Sequence, residues 1–170
     1  MGTPKAGVLL DGRPLLAHVA AAARAAGLTP VVVAKRDGPL PDADVQRWAE
    51  PDEPRHPLTG VAAALRRAGA PVVVVPVDLP RVAPGLLAAL AAHPARLVVV
   101  EAAGRLHPLL GRFDPADADA LEDAARAGAP VVRTVLALGA VVLGEDEVAR
   151  HGDPARLLAN LNRPEDLRDA

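Results

Sequence analysis

From Pro14 to Ala26 the chain reads P-L-L-A-H-V-A-A-A-A-R-A-A, with proline in the first turn and Gly27 just past the end, the punctuation of an α-helix. Val31 to Ala34 follows as a short unbroken apolar run, which predicts a buried strand. The order then repeats. Leu58 to Ala68 predicts a helix ending near Gly69, and Pro71 leads into a strand over Val72 to Val75. Pro84 to Ala92 predicts another helix, and Leu97 to Val100 another strand.

β-Branched runs without polar alternation, separated by Ala/Leu helices, predict strands covered on both faces. The expected class is therefore three-layer α/β, a Rossmann-like fold with a mostly parallel sheet and helices on both faces. Beyond Gly104 the pattern changes. His107 to Phe113 predicts a strand returning through the sheet, Ala116 to Ala127 and Val131 to Leu138 predict helices, and Ala140 to Leu143 predicts a strand. The tail, L-A-N-L-N-R-P-E-D-L, predicts a short strand running into a Pro-initiated helix. Sheets of this kind begin with a strand whose carboxyl end delivers a Gly-rich loop. The first strong strand here, Val31 to Ala34, reads as the second of such a fold, so the first strand is expected to be missing.

Composition narrows the function. With 170 residues, 17.4 kDa and 51% hydrophobic content, the chain is expected to form a single domain over residues 1–170 around one core. A net charge of −2, one Phe, one Trp and no Tyr give neither a basic footprint nor stacking platforms, so no nucleic-acid partner is expected. Apolar runs such as Val72 to Val75 are far shorter than the ~20 residues of a membrane span, which predicts no membrane partner and a cytoplasmic protein. Cysteine and serine are both absent, which excludes thiolate chemistry, cysteine metal sites and Ser-His-Asp hydrolysis. Lys5 and Lys35 are the only lysines, and Asn160 and Asn162 the only asparagines.

These rare types mark the candidate site. Asp78, in V-V-V-V-P-V-D-L-P, sits just past the end of a buried strand, where open α/β sheets place ligands. It can hold Mg²⁺, which takes one or two protein carboxylates with waters and phosphates, or it can cap the following turn. Lys5, beside Gly2 and Pro4, suits an ammonium reaching phosphate oxygens while glycine lets the backbone approach; the alternative is an exposed terminal lysine. H-P-L-T-G, His56 to Gly60, opens a helix whose first amides can receive a base or ribose, or is a plain capping turn. Asn160 and Asn162 share one face of an expected strand and can offer amide oxygens to a hard cation, or can form an Asx turn before Pro164. His107 is a substrate contact or a hydrogen-bonded core histidine, and Arg133 meets an anion or lies on a solvated helix face.

Together M-G-T-P-K (Met1 to Lys5), D-G-R-P-L-L (Asp11 to Leu16), P-L-T-G (Pro57 to Gly60), P-V-D-L-P (Pro76 to Pro80), G-R-L-H-P-L-L-G (Gly104 to Gly111) and N-L-N-R-P-E-D-L (Asn160 to Leu167) resemble the molybdenum cofactor guanylyltransferases, which are nucleotidyltransferases of Rossmann-like fold. The resemblance spans essentially the whole chain, and P-L-T-G with N-L-N-R-P is its more specific part. It implies transfer of GMP from GTP to molybdopterin with loss of pyrophosphate, dependent on Mg²⁺. It also implies a partnership with other molybdenum cofactor biosynthesis proteins. Lys5 and Asp78 would be catalytic; Gly2, Lys5, Leu58, Thr59, Gly60 and Asp78 would bind nucleotide; His107, Arg133 and Asn160 would face the pterin substrate; and Asp78 with Asn162 would ligate the metal.

Three departures from the pattern bear on function. The family begins with a strand followed by L-A-G-G-x-S-x-R-M-G, and nothing before the M-G is present here. Met1 is thus expected to be an internal methionine of a sequence that starts about 15–20 residues earlier, one strand plus its loop. Pro4 stands where an aspartate is often seen, a pattern shared with cytidylyltransferase and sugar-phosphate relatives, and His56 stands where the family usually has glycine. A related nucleotidyltransferase using CTP or a sugar phosphate, and a non-catalytic truncated homologue, are the competing readings.

Overall fold

The structure, a computed structural model, describes residues 5–160. After a 3₁₀ turn at Lys5–Gly7 the chain forms a small antiparallel hairpin from β1 (Leu9–Leu10) and β2 (Arg13–Pro14). Asp11 and Gly12 make its two-residue turn with φ of 50° and 75°, the left-handed pair that Asp-Gly adopts at low cost. α1 (Leu15–Ala25), β3 (Val31–Lys35), β4 (Gln46–Glu50), α2 (Pro57–Ala68), β5 (Val72–Val74) and α3 (Pro84–Ala92) follow. β6 (Val98–Ala102) and β7 (Arg105–Phe113) form a hairpin, and α4 (Ala118–Arg126), α5 (Val131–Ala137), β8 (Val141–Leu143), α6 (Glu145–Ala149) and α7 (Pro154–Leu157) complete the described chain.

The sheet order is β5-β7-β6-β8, with β3-β4 forming a separate parallel pair. β7 runs antiparallel to both β5 and β6, while β8 is parallel to β6. The expected mostly parallel sheet is thus a mixed one. The cause is local: Ala103 and Gly104, with φ of 53° and 73°, reverse the chain at once, so β7 pairs with β6 as a hairpin strand instead of arriving through a helical crossover. Gly111 allows the close approach this needs, because a Cβ there would overlap the Val98 carbonyl oxygen.

Alternate residues of β6 face opposite layers. Val98 and Val100 pack with Leu86, Leu87 and Leu90 of α3, with Ala23 of α1 and with Val148 of α6. Val99 joins Phe113, Leu58 and Leu65 of α2, Leu121 of α4 and Val135 of α5. α2 buries Leu58, Val61, Ala62 and Leu65, the i, i+3, i+4, i+7 stripe of an amphipathic helix, and each fully buried leucine contributes about 1.5–3 kcal/mol. Gly69, left-handed at φ 61°, ends it. No helix among the described residues is long and apolar enough to cross a membrane.

β4 was not foreseen. Its sequence, Q-R-W-A-E, is polar because it is an edge strand, held by side chains as well as by its ladder. The Arg47 guanidinium donates to the carbonyls of Arg36 (2.7 Å) and Gly38 (2.6 Å), and Arg67 lies 5.0 Å above the Trp48 ring. The expected strand over Asn160 to Asn162 and the helix beyond it run past the described residues.

Candidate active site

The carboxyl ends of β3, β4, β5 and β6 deliver the polar residues. Antiparallel pairing places Val74 opposite Gly111 and Ala102 opposite Arg105, so the start of β7 lies at the end of the sheet where β5 and β6 finish. Asp78 occupies the turn after β5, half-buried, with Leu79 N–H donating to the Pro76 carbonyl at 3.2 Å. Its charge acts on His107.

His107 is buried and projects from β7 beside that turn. A ring N–H donates to the Ala102 carbonyl, and Nε2 accepts from Arg105 Nε at 3.3 Å. Burial, and then the charge of Arg105, hold its pKa below the usual histidine value, so the ring is neutral near pH 7. Arg105 also donates from Nη2 to Asn160 Oδ1 at 2.8 Å. Asp78, Arg105, His107 and Asn160 therefore form one cluster. Arg105 was missed in the sequence; it lies two residues before His107 on the same strand, so the period of two that paired the asparagines would have found it.

A second polar group surrounds the start of α2. His56 caps the helix: Nδ1 accepts the Leu58 N–H at 3.3 Å, while Nε2 lies 3.0 Å from the Ala129 carbonyl. Only the Nε2–H tautomer serves both partners, since an amide can only donate and a carbonyl only accept. The residue found in place of glycine thus ties the helix start to the turn between α4 and α5. Leu58 is fully buried in the core, and Thr59, 4% exposed, donates from its hydroxyl to the Pro54 carbonyl at 2.9 Å. Both side chains turn inward. At Gly60 a Cβ would lie 2.6 Å from Glu50 Oε2, so this glycine keeps room for the carboxylate.

In front of this helix start an open cavity of about 590 Å³ is lined by Lys35, Glu50, Asp52, Arg55, His56 and Pro57. Lys35 and Glu50 are register partners at the ends of β3 and β4 and form an ion pair at 3.3 Å. Neither was singled out from the sequence, although Lys35 is the other of the two lysines. Arg133 stands apart, exposed on α5 in the opposite layer, with no hydrogen bond or ion pair to the cluster. Gly2 and Asn162 lie outside the described residues, and of Lys5 only the backbone is described.

Among the described residues no group of three or more His, Asp or Glu side chains could hold a metal ion. The Asp78 carboxylate in its turn is nonetheless a donor suited to Mg²⁺, which takes one or two protein carboxylates and fills its remaining positions with water and phosphate oxygens.

Solved structures share this fold. Molybdopterin-guanine dinucleotide biosynthesis protein A from Archaeoglobus fulgidus superposes with a TM-score of 0.81 at 21% identity, covering 99% of this chain and 89% of that one. The 2-C-methyl-D-erythritol 4-phosphate cytidylyltransferase from Thermus thermophilus gives 0.65 at 24% identity, covering 98% and 92%. No curated protein matches the chain. Residues 1–149 match the MobA-like NTP transferase domain, the family to which the chain therefore belongs as a nucleotidyltransferase.

Proposed function

We propose that the protein transfers GMP from GTP to molybdopterin, releasing pyrophosphate, with Mg²⁺ as cofactor. The observation that carries this reading is the position of Asp78. It lies in the turn past β5, beside His107 and the cationic Arg105, and Pro76 and Val77 just before it line a cavity shared with Pro57 and Gly60 of the α2 start. The cavity before α2 takes the guanosine. The Asp78 cluster takes the phosphates and the pterin.

In this reading an oxygen of the acceptor phosphate attacks the α-phosphorus of GTP in line, and the bond to pyrophosphate breaks. No protein nucleophile is required, consistent with a chain without serine or cysteine. Asp78, with Asn162 as second ligand, would hold Mg²⁺; the ion, when bound, neutralises charge on the phosphates. Lys5 and Gly2 contact phosphate oxygens. Arg105 orients the acceptor anion while its hydrogen bond holds His107 in place. Asn160 and Arg133 extend the acceptor side.

Pyrophosphate release from GTP and from CTP, with molybdopterin as acceptor, tests the reading. GTP is expected to be preferred, and Asp78→Asn to lower the rate at least about 100-fold without loss of fold, since charge stabilisation at the phosphates is a dominant catalytic term. Preference for CTP would assign the cytidylyl relatives' chemistry. Release from neither nucleotide would make the chain a non-catalytic homologue.

A further inference from the structure

Among the described residues β8 pairs with β6 alone, which leaves it at the edge of the four-stranded sheet. Val141 N–H donates to the Leu97 carbonyl at 3.0 Å, so the backbone of Val141 faces β6 and that of Val142, one residue on, faces outward. Native sheet edges are commonly blunted by charges, proline or bulges. The edge strand β4 carries Arg47 and Glu50. β8 reads V-V-L, with Ala140 and Gly144 on either side.

The surface around this edge is apolar. Among the described residues the exposed large hydrophobic side chains are Leu9 and four that fall between positions 132 and 142, namely Val132, Leu136, Val141 and Val142. Val132 and Leu136, four residues apart, form one stripe of α5. Val142 stands in register with Val99, on the face that packs against Val135 of α5, while Val141 stands in register with Val98 on the opposite face. The apolar surface thus continues round the free edge. Positions 134–144 hold no charged residue, in a chain where 24% of residues are charged. Depletion of charge marks the core of an interface.

We infer that β8 pairs with β8 of a second copy of this chain, antiparallel and about a two-fold axis at Val142. The backbone selects that occupant. On the axis, Val142 of each copy donates its N–H to the Val142 C=O of the other, the hydrogen-bonded pair of an antiparallel ladder. Ala140 then lies opposite Gly144 of the second copy, whose N–H donates to the Ala140 C=O. The two remaining groups of that pair are already bonded within the chain: Ala140 N–H donates to the Val135 C=O at 3.1 Å, and the Gly144 C=O accepts from Glu147 N–H at 3.1 Å. A Cβ at Gly144 would meet nothing within 4 Å, so the approach is open. The axis stands perpendicular to the sheet, so α5 of both copies lies on one face and the two Val132–Leu136 stripes come side by side. A standard interface takes about 20–30 residues a side, and residues 131–143 are about half of that, which predicts a reversible dimer. The inference rests on the sheet edge and stands whichever nucleotide the enzyme uses.

The test is sedimentation of residues 1–170 from micromolar to millimolar concentration, with amide hydrogen exchange at both ends of that range. The mass is expected to rise from 17.4 kDa toward twice that value. The Val142 and Gly144 amides are expected to exchange at least about tenfold more slowly in the concentrated sample. Val142→Lys sets two ammonium groups beside the axis, and Leu136→Glu two carboxylates in the helical stripes. Both side chains are exposed in the single chain, so each variant is expected to keep the parent's Tm and to stay monomeric. Should a variant melt lower, the exchange measurement on the parent decides. A parent that is monomeric throughout overturns the inference. So does association that persists in both variants, which would run through another surface, and so does association that leaves the Val142 and Gly144 amides exchanging as fast as in the dilute sample.

Discussion

His56 is a side chain with two separable tasks, so its replacement gives a quantitative check on how the α2 start is held. His56→Ala removes the acceptor for Leu58 N–H and the donor to the Ala129 carbonyl together. Loss of an N-cap costs about 1 kcal/mol, and loss of one hydrogen bond about 1 kcal/mol. For a chain of this length each kcal/mol lowers Tm by about 2–4 °C, so the alanine variant is expected to melt about 4–8 °C below the parent. His56→Asn supplies a good capping oxygen but is too short to reach Ala129, which lies 73 positions away in sequence. It is expected to recover the capping half and melt only about 2–4 °C below the parent. Circular dichroism melts of the three proteins measure this directly. If alanine leaves Tm unchanged, or if asparagine is no better than alanine, the two-task account is refuted.

Two further outcomes follow from the packing and the electrostatics. Gly111→Ala drives a Cβ into the Val98 carbonyl oxygen, a backbone atom that cannot rotate away, and is expected to cost about 1–3 kcal/mol in chemical denaturation. An unchanged midpoint would show that β6 and β7 are not packed as described. The lowered pKa of His107 contributes stability above about pH 6.5, the value of the unfolded histidine, and that contribution is lost as pH falls toward the folded value. The groups acting on it are Arg105, which lowers the pKa, and Asp78, which raises it. Melting temperature is therefore expected to drop as pH falls from 7.5 to below 6, and His107→Gln to flatten that dependence; equal slopes in parent and variant would count against it.

Elements whose stability is local were legible in the sequence. Pro84 to Ala92 forms the helix expected, and Val131 to Leu138 and Val72 to Val75 each differ by one residue at the carboxyl end. Proline at the start and an apolar run are signals carried within the element. The expected helix at Ala116 became a 3₁₀ turn over Pro115–Asp117 followed by α4, because Asp114 caps the turn first, accepting from Ala116 N–H. β4 was not legible: its partner and the Arg47 contacts lie 15 residues away in register and 9 to 11 in sequence, and nothing in Q-R-W-A-E shows them. The site divided in the same way. Asp78 was marked by its place after an apolar run, and Arg105 and Glu50 were not, since what assembles them is β7 hairpinning onto β6 and β3 pairing with β4.

The turn at Ala103 and Gly104 also governs how this protein can diversify. The walls formed by the segment between β4 and α2 and by the turn after β5 are loops, which can lengthen or shorten over generations without disturbing a strand. The wall carrying Arg105 and His107 has no such slack, because two residues alone separate β6 from β7 and any insertion would slip their register. On that side change is confined to exchanging one side chain for another, while before α2 and after β5 whole stretches of chain are open to revision.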